Sequence, residues 1–284
     1  MILVEICASS LESVAAAIKA GAHRIELCKD LEVGGLTPEF EDIESALRMI
    51  RTSKTMRMHV LIRPRPGNFC YSKAEVDRIC EDIKRCREIG ADGVVIGALT
   101  PGGDPDTKAL KQMLQATGHN NFRVEQPPSH PQQPPSLHLV FHRAFDVCRN
   151  PHQALEVIIG LGFQTLLTSG LEQKAEEGMP LIAQLVKQAA GRIDIMAGSG
   201  VNPRNVLRII EETGVRTVHL SATQAPDSKD PGHLFSLPLA VRRNLPPQPV
   251  LRTFPHSNEE IIREVMALVS TLKITSHLLR QHPI

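Results

Sequence analysis

Eight short β-rich segments recur along the chain, and segments with helical spacing separate them. The predicted strands cover residues 2–7, 24–28, 58–62, 93–97, 137–141, 164–168, 193–196 and 216–220. Strands that alternate with amphipathic helices form a parallel sheet that helices cover. Eight such units in 284 residues match a closed (β/α)8 TIM barrel of the α/β class, with an open doubly wound sheet as the alternative. We expect closure because no predicted strand has the polar character of a sheet edge.

The helical segments begin at recognisable capping residues. Ser9 followed by Glu12, and Ser72 followed by Glu75, have the spacing of a capping box, in which two side chains satisfy the free backbone N–H groups of a first turn. The last helix is predicted over residues 259–268, where apolar residues recur at helical spacing.

Two proline-rich stretches do not fit this repeat. Residues 119–136 combine proline with polar residues, and we interpret them as an extended insertion after the fourth helix, on the N-terminal rim of the barrel. Residues 226–256 separate the eighth strand from the last helix, so we place them on the C-terminal rim. There they could cover a site, swap onto a neighbouring subunit or remain disordered. We expect residues 1–284 to form a single domain.

Charge and hydropathy exclude several classes of partner. The chain has 32 basic and 31 acidic residues, a net charge of +1, so neither nucleic acid nor an anionic membrane is an expected partner. No apolar run approaches the roughly 20 residues of a membrane span, and Glu5 comes too early for a signal peptide. Six cysteines without a CxxC motif are too few for a disulfide scaffold or a structural zinc site. We therefore expect a cytoplasmic protein.

The first two predicted strands share one pattern: apolar, Glu, apolar, Cys. Glu5 and Cys7 occupy these positions in the first strand, and Glu26 and Cys28 occupy them in the second. Because alternate residues of a strand share a face, each strand presents a carboxylate and a thiol on one side and aliphatic side chains on the other. We expect the function of the protein to depend on these four residues.

Polar residues also follow the other predicted strands. The functional groups of such barrels lie at the C-terminal ends of the strands and in the loops that follow. The residues at these positions are Glu5, Cys7, Glu26, Cys28, Arg63, Arg65, Thr100, His142, Arg143, Asp146, Thr168, Ser169, Gly198, Ser199, Gly200, His219 and Ser221. Some of them could simply pair inside the barrel, as a Glu26–Arg63 bridge would. So many desolvated charges are costly as structure alone, which favours a functional site.

An enzyme that acts on a small anionic or phosphorylated substrate is one interpretation. Gly198, Ser199 and Gly200 follow the seventh strand and Ser221 follows the eighth, where many barrels bind phosphate on backbone N–H groups. A helix predicted to begin at residues 202–203 would direct its positive end towards this site. The same glycines also suit a plain tight turn.

Arginines and carboxylates could complete such an active site. Arg63 and Arg143 could bind a second anionic group. Glu26, buried among apolar strands, could have a raised pKa and act as general base, with His142 or Asp146 as its acid partner. Whether the protein is an enzyme stays open, and a non-catalytic oligomeric scaffold is a further alternative.

Seven segments of the chain together resemble the CutC copper-homeostasis family. In order, they are VEIC, IELCKDLEVGGLTP, LIRPRPGNFCYS, GVVIGALT, FHRAFD, LLTSG and MAGSGV, within residues 2–222. The resemblance implies a (β/α)8 barrel, a cytosolic homo-oligomer such as a dimer or tetramer, and a link to copper handling. It also implies Cu(I) binding by Cys7 and Cys28, which match two cysteines that bind Cu(I) in some members. Residues 119–136 and those after about 223 depart from the family pattern.

A Cu(I) site at these cysteines is chemically reasonable. Soft thiolates select Cu(I), and two thiolates on strands about 4.8 Å apart have roughly the separation that a two-coordinate ion bridges. Two alternatives stay open. Inward layers of a barrel take side chains from alternate strands, so Cys7 and Cys28 could lie in different layers. They could also be buried as small hydrophobic residues. The sequence thus predicts a copper-homeostasis protein whose partner is a copper ion, or an enzyme with a small anionic ligand.

Overall fold

Eight parallel strands form a closed barrel, which confirms the predicted (β/α)8 TIM barrel. The computed structural model describes residues 1–53, 55–118, 136–223 and 256–272. The strands are β1 Leu3–Ala8, β2 Arg24–Leu27, β3 Arg57–Leu61, β4 Gly93–Ile96, β5 His138–Phe141, β6 Thr165–Thr168, β7 Asp194–Gly198 and β8 Thr217–Leu220. Each strand pairs with the next in chain order, and β8 pairs with β1 to close the ring.

A helix follows each strand. The helices are α1 Leu11–Ala20, α2 Phe40–Ile50, α3 Lys73–Ile89, α4 Thr107–Ala116, α5 Pro151–Gly160, α6 Met179–Ala189, α7 Val206–Thr213 and α8 Glu259–Thr271. The predicted capping box of Ser72 and Glu75 is confirmed at α3. The predicted cap at Ser9 is wrong by one residue, because the side chain of Ser10 accepts the N–H of the first turn of α1. No helix among the described residues is long and apolar enough to cross a membrane.

Two predictions concern stretches that the structure covers only at their edges. Of the predicted insertion 119–136, residues 119–135 lie outside the described residues. Of the predicted loop 226–256, residues 226–255 lie outside them as well. Both remain predictions about the chain between α4 and β5 and between β8 and α8.

The alternation along each strand divides its residues between two cores. Val4, Ile6 and Ile25 belong to the large apolar shell between the strands and the helices. The intervening residues point into the barrel, where Cys7 lies in register with Glu26. A separate apolar cluster fills the middle of this lumen and consists of Cys7, Cys28, Leu61, Val95, Val140, Leu167 and Met196. The predicted division of the first two strands into a polar and an aliphatic face is therefore confirmed.

Two glycines on the inner face of the barrel make room for imidazole rings. A Cβ atom on Gly93 would lie 2.6 Å from the ring of His59, which reaches across from β3. A Cβ atom at Gly97, directly after β4, would lie 2.6 Å from the ring of His142, which follows β5. Real Cβ atoms do not approach so closely, so Gly97 admits a larger residue only if the ring of His142 moves. At Gly93 a Cβ atom would also lie 2.6 Å from the backbone carbonyl of His138, which a ring movement does not relieve.

Candidate metal centre

Cys7 and Cys28 meet inside the barrel. Their Sγ atoms are 3.6 Å apart, and the two residues are 5% and 2% exposed. Neither takes part in a disulfide bond. Both thiols point inward, so the alternative in which one of them turns away from the lumen does not hold. Contact between two buried thiols places two soft sulfur donors at a single point.

A carboxylate and an imidazole lie beside the thiols. Cys7, Glu26 and His219 each offer one possible ligand atom, and these atoms lie within 4.8 Å of one another. Glu26 comes from β2 and His219 comes from β8, the strand that closes the barrel against β1. The Oε2 atom of Glu26 is buried and has no hydrogen-bond partner in the described part of the chain. The lumen therefore brings together sulfur, nitrogen and oxygen donors.

Glu5 orients His219 from the opposite side of the ring. The Nδ1 atom of His219 lies 2.7 Å from Oε1 of Glu5, which also forms a buried ion pair with Arg24. His59 lies further along the same carboxylate, with its Nδ1 atom 3.5 Å from Oε2. Gly198 on β7 leaves space for His219, since a Cβ atom there would lie 3.2 Å from the Cβ of His219. The imidazole is thus fixed by a carboxylate and by close packing.

Burial and neighbouring charges set the pKa values of the two carboxyl groups apart. Burial opposes the ionisation of Glu5, but the charge of Arg24, the hydrogen bond from His219 and the nearby imidazole of His59 outweigh it, so the pKa of Glu5 is well below its ordinary value. Burial raises the pKa of Glu26 to about 7, and the negative charge of Glu5 adds to this effect. Glu5 is consequently ionised at neutral pH, whereas Glu26 is only partly ionised.

The pKa values of the Cys7 thiol and the His219 imidazole are both raised. The hydrogen bond with Cys28 raises the pKa of Cys7 well above its ordinary value, and burial adds to this. Burial works against a charged His219, but its hydrogen bond with Cys7, the charge of Glu26 and the hydrogen bond with Glu5 outweigh burial and raise the pKa of His219. A thiophilic ion that binds here must therefore displace protons, because metals bind thiolates and neutral imidazoles.

A loop after β2 covers the thiols. We call residues 29–36 the cover loop; its ends pair with each other through Lys29 and Leu36. Leu31 packs against the lumen cluster that contains both cysteines. A Cβ atom on Gly35 would lie 3.5 Å from the Sγ of Cys28, and this glycine has a φ of +83°. The cover loop, which directly follows the segment IELC, therefore packs over the thiols of Cys7 and Cys28.

Arg63 holds the cover loop in place. Its guanidinium donates to the carbonyl oxygens of Val33 and Gly35 at 2.8 and 2.9 Å, and to that of Gly67 at 3.1 Å. The ring of Phe69 lies 5.0 Å from the guanidinium carbon. The residue is 3% exposed. In the described residues Arg63 therefore binds backbone carbonyls and does not bridge to Glu26.

His142 lies near the end of β5 as a neutral ring. Its Nδ1 atom accepts the N–H of Ala144 at 3.1 Å, so the proton is on Nε2, which is buried and has no partner in the described part of the chain. Burial lowers the pKa of His142 to about 3. No hydrogen bond joins His142 to Glu26 among the described residues, so the predicted base and acid remain separate proposals.

Asp146 organises the loops after β5 and β6. Its carboxylate accepts hydrogen bonds from the hydroxyl of Thr168 at 2.5 Å and from the N–H groups of Ser169 and Leu171 at 3.0 and 3.2 Å. Arg143 donates to the same carboxylate at 2.7 Å. The structure brings Arg143 and Asp146 together, and this carboxylate is fully engaged in holding backbone and side-chain donors.

The loop after β7 is attached to the loop after β6. The hydroxyl of Ser199 donates to the carbonyl of Gln173 at 2.8 Å, and the carbonyl of Ser199 accepts the N–H of Ala175 at 2.9 Å. The helix predicted to begin at residues 202–203 begins at Val206, so its predicted start is wrong. Ser221, after β8, lies 3.2 Å from the hydroxyl of Thr223. Gly198 and Gly200 flank Ser199, whose hydrogen bonds join the loop after β7 to the loop after β6.

Sequence reasoning missed the polar residues in the lower half of the lumen. Arg24, His59 and His138 point inward from the N-terminal halves of their strands, and the rings of His59 and His138 stack at 4.9 Å. His219 had been placed at the barrel mouth without a role. The signal was present in the strand alternation, since Arg24 precedes Glu26 by two residues and therefore shares its face.

The closed barrel and the buried cluster of two thiols, an imidazole and a carboxylate define a (β/α)8 protein with a soft-donor site in its lumen. Comparison with known proteins narrows this class. The chain belongs to the CutC family, whose model matches residues 2–224.

Individual relatives agree with this assignment. The family protein CutC from Bacteroides thetaiotaomicron is 43% identical over 221 residues, which cover 78% of this chain and 81% of that protein. A crystal structure assigned to the copper homeostasis protein CutC of Streptococcus agalactiae superposes with a TM-score of 0.69 at 36% identity, over 78% of this chain and 99% of that chain. A monomeric form of phosphoribosylanthranilate isomerase from Thermotoga maritima superposes with a TM-score of 0.51 at 12% identity, over 96% of this chain and 100% of that chain. This likeness shows the barrel fold alone.

Proposed function

We propose that this protein binds Cu(I) through Cys7 and Cys28 and serves copper homeostasis. The observation that carries the proposal is the contact of the two buried Sγ atoms at 3.6 Å inside the barrel. Soft thiolate ligands favour Cu(I), as they favour zinc and iron–sulfur clusters, over harder cations. The structural relative from Streptococcus agalactiae bears the name of a copper homeostasis protein, which supports the same function here.

The surroundings of the thiols suit a monovalent ion. Two thiolates and one Cu(I) carry a net charge of −1, which a buried site must compensate. Arg24 supplies positive charge within the same cluster of side chains, where it pairs with Glu5. The cover loop keeps bulk water from the sulfur atoms, since Leu31 and Gly35 pack directly over them. In this way the lumen would retain a thiolate-bound ion and protect it from oxidation.

The test is an anaerobic Cu(I) titration against a competing chelator. We expect one site per chain that is lost in Cys7→Ser and in Cys28→Ser. Cys70→Ser is the matched control, because Cys70 is a half-buried cysteine on the loop after β3 and should bind Cu(I) like the wild type. Unchanged binding in the double variant of Cys7 and Cys28 would overturn the proposal.

An enzyme acting on a small anionic or phosphorylated substrate is the second candidate. It is favoured by Glu26, whose buried Oε2 lacks a partner among the described residues and whose pKa burial raises to about 7, as a general base requires. His142 or Asp146 would act as the acid. Crystals grown in phosphate should then show an ordered anion on the N–H groups of Ser199 and Gly200. Water alone at these groups would count heavily against this candidate.

Assembly and location complete the proposal. We infer a cytoplasmic homo-oligomer, a dimer or a tetramer, from the resemblance to the CutC family. Light scattering coupled to size-exclusion chromatography measures the assembly directly. A mass near the 31.2 kDa of a single chain would contradict this inference.

A further inference from the structure

We propose that His219 is the third ligand of an ion bound at Cys7 and Cys28. This inference rests on the proposed Cu(I) site and adds a nitrogen donor to it. Three observations support the assignment: the short distance between the thiols, the orientation of the imidazole, and the space that Gly198 leaves beside it.

The separation of the thiols favours a bent arrangement. A thiolate binds a soft ion such as Zn²⁺ at about 2.3 Å, so two sulfur atoms on opposite sides of an ion stand about 4.6 Å apart. The Sγ atoms of Cys7 and Cys28 are only 3.6 Å apart. Two sulfurs this close hold an ion on one side of the line between them, which leaves its other side open to a further donor.

His219 is oriented for this open side. Its Nδ1 lies 2.7 Å from the carboxylate of Glu5, which also pairs with Arg24. Because that carboxylate can only accept a hydrogen bond, the Nδ1 atom carries the proton and Nε2 is the nitrogen left to bind a metal. A carboxylate that holds the far nitrogen of a ligand histidine is the usual outer partner in metal sites. One ring nitrogen of His219 lies within 4.8 Å of the sulfur of Cys7.

The fold keeps this position open. Gly198 on the neighbouring strand would place a Cβ atom 3.2 Å from the Cβ and 3.4 Å from the Cδ2 of His219. Such a Cβ atom would also lie 2.6 Å from Cδ1 of Leu167, so a larger residue there would crowd both Leu167 and His219. Glu26 belongs to the same cluster, and its buried Oε2 has no protein partner within the described residues. A buried oxygen without a partner is costly unless a ligand or a water molecule satisfies it.

X-ray absorption spectroscopy of the Cu(I)-loaded wild-type protein tests the assignment without any substitution. We expect a three-coordinate ion with two sulfur atoms and one nitrogen. In His219→Ala the nitrogen contribution should disappear, and the dissociation constant for Cu(I) should rise at least about tenfold. His138→Gln is the control, because His138 is a lumen histidine bonded to Thr165 and lies outside the cluster, so it should leave both readouts unchanged.

The outcomes separate this inference from the proposed function. A two-coordinate ion in the wild type, with an unchanged dissociation constant in His219→Ala, overturns the role of His219 and leaves Cu(I) binding by Cys7 and Cys28 intact. A wild-type protein that binds no Cu(I) overturns both. Circular dichroism confirms that each variant is folded before its dissociation constant is compared.

Discussion

Replacement of Glu26 by Gln should change how the stability of the protein depends on pH. Burial raises the pKa of Glu26 from its ordinary value of 4.5 to about 7. Each tenfold change in proton affinity corresponds to about 1.4 kcal/mol. The folded protein therefore loses about 3 kcal/mol of its free energy of unfolding when this carboxyl group must ionise inside the lumen.

The sign and the pH range follow from the raised pKa. The unfolded chain ionises Glu26 near pH 4.5, whereas the folded chain keeps it protonated up to about pH 7. This contribution to stability is complete below pH 4.5 and is lost as the pH rises through 7. About 2 kcal/mol of the loss falls between pH 5.5 and 8. The Glu26→Gln variant lacks the titrating group and should not show this loss.

Urea denaturation of the metal-free, reduced protein measures the effect. Circular dichroism is the appropriate signal, since the chain has no tryptophan and a single tyrosine. From pH 5.5 to 8, the free energy of unfolding of Glu26→Gln should rise by about 2 kcal/mol relative to the wild type. Glu44→Gln, an exposed position on α2, is the matched control and should show no such change.

Parallel pH profiles of the wild type and Glu26→Gln would refute the reasoning. They would mean that the folded and unfolded chains ionise Glu26 at the same pH. The lumen would then solvate this carboxylate, in conflict with its burial and its unpaired Oε2.

Three further substitutions test other parts of the barrel. Gly93→Ala should lower the free energy of unfolding by about 1–3 kcal/mol because the new methyl group meets a carbonyl at 2.6 Å; an unchanged urea midpoint would contradict this. Asp146→Ala removes the shared acceptor of several buried donors and should lower the free energy of unfolding by about 3 kcal/mol or more in the same assay. A decrease of less than about 1 kcal/mol would show that water replaces the carboxylate. Arg63→Met removes three hydrogen bonds to backbone carbonyls and should speed the alkylation of Cys28 at least about tenfold, as measured by mass spectrometry. Arg48→Met, at an exposed position, is the control. Equal alkylation rates in the two variants would refute the role of Arg63 in holding the cover loop.

The barrel could be predicted because its pattern is local. Alternation within residues 4–7 and 25–28 separates the lumen face from the shell face, and the count of eight strands requires no knowledge of distant contacts. The contact between Cys7 and Cys28 could not be predicted in the same way, since it depends on the register between two strands. Cys7 pairs with Glu26, which brings Cys28 over the end of β1.

The partners of Arg63 were beyond prediction for a different reason. Its charge and its place after β3 indicated a ligand for an anion or a carboxylate. Its actual acceptors are carbonyl oxygens that become available only when the cover loop folds back over the barrel. Backbone acceptors of this kind carry no signal in residue type, because every residue has one.

The two-sided use of each strand has a consequence for how this chain can vary in length. Deleting one residue within β2 would turn Ile25 and Leu27 towards the charged interior and send Glu26 among the aliphatic side chains beneath the helices. A change of length between elements carries no such penalty, because it leaves the phase of every strand intact. Insertions are therefore expected between elements, where the predicted insertion of residues 119–136 would lie, while the strands admit substitutions but no change in residue number.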